Sequence, residues 1–165
     1  MPQTISSATP FDAAVTLKNL VNIVGKAHVL THESDTRLYR QGRRFGEGRV
    51  FAVVTPGSLL QQWQVLQVAV AADCIIIMQA ANTGLTGGST PFGDDYDRPV
   101  ILINTQRLKG IQLINDAKQV ICLPGATLDA LEQQLAPHQR EPHSVIGSSC
   151  IGASVLGGVC NNSGG

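Results

Sequence analysis

The chain has 165 residues and a mass of 17.5 kDa, with 12 cationic and 12 anionic side chains. A formally neutral chain does not bind nucleic acid through bulk positive charge, and it is no acidic disordered tail. Charged residues are only 15% of the sequence, beside 17 glycines and 43% apolar residues. The usual charged fraction is about 25%, so this composition describes a compact body with close backbone approaches, one domain or one domain plus part of another. A chain of this length buries roughly 68–70% of its unfolded surface, enough for a real core.

The first nine residues are polar and are expected to be mobile. Pro10 suits a first helical position with Thr9 as its cap. Ala14, Leu17, Val21 and Val24 then recur at helical spacing until Gly25 ends the run. His28 to Leu30 reads as a short extended piece and residues 33–40 as a short helix. Residues 37–49 carry five of the twelve cationic side chains around three glycines. They read either as a solvated mobile loop or as a patch facing anions or a membrane.

Val50 to Val54 is a β-branched and aromatic run, predicted to be a buried strand. Ser58 can cap the next helix, with Gln61 three residues on as in a capping box. Leu59, Trp63, Leu66 and Val70 mark its apolar stripe, and Cys74 to Met78 is a second buried strand. Two continuous apolar strands around a helix predict a parallel βαβ unit with a right-handed crossover. A further βα alternation is expected beyond it. Its strands are Val100–Ile103, Ile111–Ile114 and Val120–Leu123, and its helix carries Leu128, Leu131 and Leu135 and ends at Pro137.

Several classes of chemistry are absent. The cysteines at 74, 122, 150 and 160 form no C-x-x-C pair, which removes zinc-finger and thioredoxin readings and leaves buried free thiols. The four histidines (28, 32, 138, 143) lack metal-ligand spacing, so no metal is expected. Asp94, Asp95 and Asp97 read as a solvated acidic turn. No positive n-region precedes Lys18, and Gln67, Asp73 and Gln79 interrupt the most apolar stretch. Neither a signal peptide nor a transmembrane segment is expected, and surface association with a membrane stays open.

Two glycine-rich segments are the candidate site. Ala80-Ala81-Asn82-Thr83-Gly84-Leu85-Thr86-Gly87-Gly88-Ser89 follows the carboxyl end of a predicted parallel strand, where open α/β sheets bind ligands. Its small residues let an anion approach the main chain, and Thr83, Thr86 and Ser89 add hydroxyls. Gly147 to Gly165 has a linker-like composition, but Ile151, Val155, Leu156 and Val159 fall at helical spacing. A short, tightly packed helix is expected there, its N-terminus offering a phosphate seat. No G-x-G-x-x-G follows Val54, and Gly158 stands where a P-loop needs lysine. The remaining reading is a non-Rossmann cradle for a diphosphate cofactor.

Gln79 to Pro91 (QAANTGLTGGSTP), Leu123 to Leu135 (LPGATLDALEQQL) and Arg140 to Gly165 (REPHSVIGSSCIGASVLGGVCNNSGG) resemble the FAD-binding domain of FAD-linked oxidoreductases of the vanillyl-alcohol-oxidase type. Within them they most resemble the respiratory, quinone-linked D-lactate dehydrogenases of bacteria, from about Phe11 to Gly165. The resemblance implies an α/β to α+β fold: a small parallel α/β lobe over 10–109, then the start of a second α+β lobe over 110–165, with the FAD diphosphate between them. Carried over by position, the cofactor contacts are Ala80, Ala81, Asn82, Thr83, Gly84, Gly88, Ser89, Gly147, Ser154 and Gly164.

Some relatives link FAD to a histidine just after a Gly-Gly pair. Ser89 stands there, which implies non-covalent FAD. The expected activity is hydride transfer from D-lactate to FAD, giving pyruvate, with electrons passing to a membrane quinone. The expected location is peripheral, on the cytoplasmic side of the inner membrane, with no nucleic-acid partner. The alternatives are another 2-hydroxy acid or a sugar lactone on the same domain, or a packing module that binds nothing. The chain stops inside its last motif, so the amino-terminal part of a longer protein is expected. No catalytic acid or base is assigned to it.

Overall fold

The structure is a computed structural model that describes residues 11–142 and 152–163. Helix α1 (Ala13–Val24) starts at Asp12, whose side chain accepts from the Val15 N–H at 3.0 Å. The cap is therefore Asp12 rather than Thr9, which lies with Pro10 outside the described residues. Gly25 ends the helix with φ +86°, its N–H donating to Val21 O at 2.8 Å. A 3₁₀ turn (Lys26–His28), strand β1 (Val29–Leu30) and helix α2 (Glu33–Arg40) follow.

Strand β2 (Ala52–Val54) leads into α3 (Leu59–Ala71) and β3 (Ile75–Gln79). Ser58 caps α3 by accepting from Gln61 N–H at 3.1 Å, while the Gln61 carboxamide accepts from Gly57 N–H at 2.7 Å. This is the expected capping box with the return bond one residue earlier. The buried face of α3 differs from the expected stripe. Val65 and Ala69 face the core, and Leu66 packs beside it, whereas Leu59, Leu60, Trp63 and Val70 are exposed. The helix has apolar residues on two sides and no charged residue to mark an outer face, so its periodicity alone did not select the inner one.

Strand β4 (Val100–Asn104) is the centre of the first sheet, in the order β1-β2-β4-β3. β2 and β3 both run parallel to β4, and β1 is antiparallel to β2. Every residue of β4 is buried. β3, expected to be fully buried, is instead a half-buried edge strand, because β4 inserts between it and β2. The core joins Leu20 and Val24 of α1, Val65 and Ala69 of α3, and the alternate residues Ala52, Val54, Ile101 and Ile103 of the sheet. Val53 and Leu102 project to the other face and are fully buried too. Phe11 meets Phe51 edge to face, ring centroids 4.9 Å apart.

The second unit departs from the expected βα alternation. Strands β5 (Ile111–Ile114) and β6 (Gln119–Cys122) are an antiparallel hairpin. The loop between them is too short for a parallel crossover. It turns through Asn115, Asp116 and Ala117, all left-handed (φ +52°, +52° and +58°), a conformation Asn and Asp tolerate well. Helix α4 (Leu128–Leu135) is capped by Thr127, which accepts from Ala130 N–H at 3.2 Å, and Pro137 sits in the 3₁₀ turn that follows it. Leu131 and Leu135 pack with Ala117, Ile111, Leu113, Cys122 and Val155. Helix α5 (Val155–Cys160) is short and has no buried residue. Val159 is 73% exposed, so it is not the tightly packed helix expected, and Ile151 lies outside the described residues.

Candidate functional site

The first glycine-rich segment emerges from β3 and is held from below by buried amides. Gln79 donates through Nε2 to Tyr39 O at 2.7 Å and Ser89 O at 2.8 Å, closing the loop on its own stem. Asn104, its neighbour in register on β4, donates to Gln79 Oε1 at 3.1 Å and Ala80 O at 2.9 Å. Two polar residues at the carboxyl ends of apolar strands thus form the base of the loop, a signal present in the sequence as Gln79 and Asn104 closing apolar runs. Asn82, at φ +53°, donates to Gln41 O at 2.8 Å and accepts from the Ser89 hydroxyl at 3.1 Å. The Ser89 hydroxyl therefore closes the loop rather than waiting as a free donor.

Two glycines of this loop have no packing reason to be glycine. A Cβ on Gly84 would meet nothing within 4 Å, and one on Gly88 would meet only the Thr86 hydroxyl at 3.8 Å. Neither has a positive φ. Gly87 is different. Its φ is +74°, and a Cβ would press on Phe45 O at 3.0 Å. That contact seats the loop against the Arg-rich segment. The segment is no free loop: Gln41 and Glu47 form an antiparallel bridge, and Arg40 is drawn in by Glu33 at 2.7 Å and Gly48 O at 3.3 Å. Arg43 and Arg44 stay exposed, with Arg44 over the Phe45 ring at 5.1 Å.

The second segment reaches the same region. Ser154 caps α5 by accepting from Gly157 N–H at 3.1 Å, and it forms an isolated bridge with Thr127. A cavity of about 320 Å³ is lined by Ala81 together with Gly125, Thr127, Gly152 and Ser154. Residues from both glycine-rich segments thus line one space. Ala80, Asn82, Thr83, Gly84, Gly88 and Ser89 belong to the adjoining loop without lining that cavity, while Gly147 and Gly164 lie outside the described residues. Gln106, Arg107 and Lys109 also line it, and no acidic residue among the described residues does. These were missed in the sequence, although they too follow the carboxyl end of a parallel strand, β4.

A larger cavity of about 940 Å³ opens on apolar side chains of α4 and α5, among them Leu128, Leu131, Leu135 and Val159. None of the described candidate contacts lines it. Among the described residues no group of three or more His, Cys, Asp or Glu side chains is placed to hold a metal ion.

Residues 51–165 match the FAD binding domain family. The chain is 62% identical over 149 residues to the quinone-dependent D-lactate dehydrogenase of Haemophilus influenzae, covering 90% of this chain and 26% of that protein. It is 56% identical over 161 residues to the protein of the same name from Escherichia coli, covering 98% of this chain and 28% of that one. The chain therefore spans about a quarter of the length of these relatives. Among solved structures it is similar to p-cresol methylhydroxylase, with a TM-score of 0.75 at 15% identity over 99% of this chain and 31% of that one. It is also similar to alkyldihydroxyacetonephosphate synthase, with a TM-score of 0.75 at 15% identity over 96% and 31%. At that identity the likeness concerns the fold, and the mixed α/β architecture with its parallel sheet is the one the resemblance implied.

Proposed function

This chain belongs to the FAD binding domain family, and from that premise we propose that it is the part of a quinone-dependent D-lactate dehydrogenase that holds the flavin dinucleotide. One observation carries the reading: residues of two segments almost free of bulky side chains, far apart in sequence, line a single cavity that among the described residues carries positive and no negative side chains. The residues fit a diphosphate. The small side chains of Ala81, Gly125 and Gly152 leave the main chain accessible, and Gly84 and Gly88 keep open a space that a side chain would take.

In this reading Ala80, Ala81, Asn82, Thr83, Gly84, Gly88, Ser89 and Ser154 contact the cofactor, and the resemblance adds Gly147 and Gly164, which lie outside the described residues. The lobes meet near residue 109, with 10–109 before the junction and 110–165 after it. Bound there, FAD would supply the two-electron redox chemistry for oxidising D-lactate to pyruvate, with a quinone as the final electron acceptor. This chain's residues bind and orient the dinucleotide, and Ser89 offers no imidazole for a covalent link. The enzyme works at the cytoplasmic face of the inner membrane. No helix among the described residues is long and apolar enough to cross a membrane.

Gly88→Val tests the cradle. The fold tolerates the side chain, since only the Thr86 hydroxyl is near, so the apoprotein melts as the wild type does. FAD affinity, read by fluorescence quenching, falls by about tenfold or more, as expected for loss of a charged group's hydrogen bonds. Unchanged affinity would remove the loop from the site. The substrate is tested on the full-length flavoprotein without oxygen. D-lactate should bleach the flavin absorbance, and bleaching by glycolate or an aldonolactone alone would reassign the reaction.

A further inference from the structure

Arg107 and Lys109 flank Leu108, which is only 2% exposed. The buried leucine plugs the turn, and both cations line the cavity beside Ala81, Gly152 and Ser154. The turn is rigid. Leu108 N–H donates to Thr105 O at 2.9 Å, and Gly125 N–H donates to Leu108 O at 2.8 Å. Gly125 permits this approach, because a Cβ there would strike Thr105 O. Leu123 N–H then donates to Gly110 O at 2.8 Å, fixing the far end.

The two cations are held differently. Arg107 donates through Nη1 to Thr55 O at 2.7 Å and lies across Gly57, where a Cβ would come within 2.8 Å of Nη2. Lys109 has no hydrogen-bond or ion-pair partner among the described residues. The helix that adjoins the cavity is a weak source of positive field. α5 is six residues long, and one of its first N–H groups is already taken by the Ser154 hydroxyl. A doubly charged group in this space therefore needs a side-chain countercharge.

We propose that Lys109, with Arg107 beside it as a fixed positive wall, neutralises the diphosphate of the dinucleotide. This rests on the FAD reading above and adds to it a charge that main-chain amides do not supply. The test is a titration of apo full-length protein with FAD at salt concentrations from about 0.05 to 0.5 M, for the wild type, Lys109→Gln and Lys109→Arg. Lys109→Gln should bind FAD about tenfold more weakly at low salt and lose affinity less steeply as salt rises. Lys109→Arg should keep most of both properties, and all three apoproteins should melt alike.

Equal affinity in Lys109→Gln and wild type overturns the proposal. So does a weaker affinity whose salt dependence still parallels the wild type, since that marks a structural loss rather than a lost charge. Wild-type protein that takes up no FAD at any salt overturns the function reading itself, and the proposal with it.

Discussion

Gln79 shows how one side chain can hold a glycine-rich loop. It is 3% exposed, lies at the end of an apolar strand, and bonds two carbonyls and one amide drawn from three other segments. Replacing it by leucine keeps the bulk and takes a partner from Tyr39 O, Ser89 O and one N–H of the Asn104 amide, whose bond to Ala80 O remains. A buried polar group left unpaired costs about 1–3 kcal/mol. Gln79→Leu should therefore lower the stability of the fold by about 3 kcal/mol, read from the urea midpoint, and the loop over 82–89 should become the first site of proteolysis. A midpoint within about 0.5 kcal/mol of the wild type, the usual range for surface changes, would show that these bonds are dispensable.

At the scale of elements, α3 makes the clearest case. Its apolar residues surround most of the helix, and the packing of α1 and the sheet selects Val65 and Ala69 for the core. Val65→Ala removes two buried carbon groups, each worth about 0.8 kcal/mol, and leaves a cavity, so a loss of about 2–3 kcal/mol is expected. Trp63 is 58% exposed, and Trp63→Gln should change the stability of this chain by less than about 0.5 kcal/mol. The opposite order in a denaturant titration would restore the stripe suggested by periodicity. The hairpin of β5 and β6 teaches a related point. Short apolar runs announce strands, but the length of the loop at Asn115–Lys118 decides that they run antiparallel.

For the whole molecule, the buried thiols make the fold lose stability at alkaline pH. Burial pushes the Cys74 thiol up, and the carboxylate of Asp73 adds to this while Arg98 opposes it. Burial raises Cys122 as well. Both favour the neutral thiol in the fold. Once pH passes the ordinary thiol value of about 8.5, the unfolded chain loses protons that the folded chain keeps, so stability is full below that pH and declines above it. Urea unfolding between pH 7 and 10 should show this decline, shallower in Cys74→Ala. Cys160 is exposed and should alkylate well before Cys74 when the modified residues are mapped by mass spectrometry. Equal rates at the two positions would contradict the burial.

Local chemistry was enough for much of this. Ser58 with Gln61, Gly25 after Val24, and the apolar runs of β2, β3 and β4 announce their elements because capping, chain reversal and strand propensity act within a few residues. The glycine-rich segments likewise stand out in the sequence, since missing Cβ atoms can be read directly, and Ala81 of one and Gly152 and Ser154 of the other line one cavity. Tertiary structure decided the rest. β4 takes the centre of the sheet, Val65 rather than Trp63 turns inward, and Arg107 and Lys109 come to stand beside Ser154. Each of those outcomes depends on which surfaces meet across long stretches of chain, a choice made by the total area buried and not by any residue's neighbours in sequence.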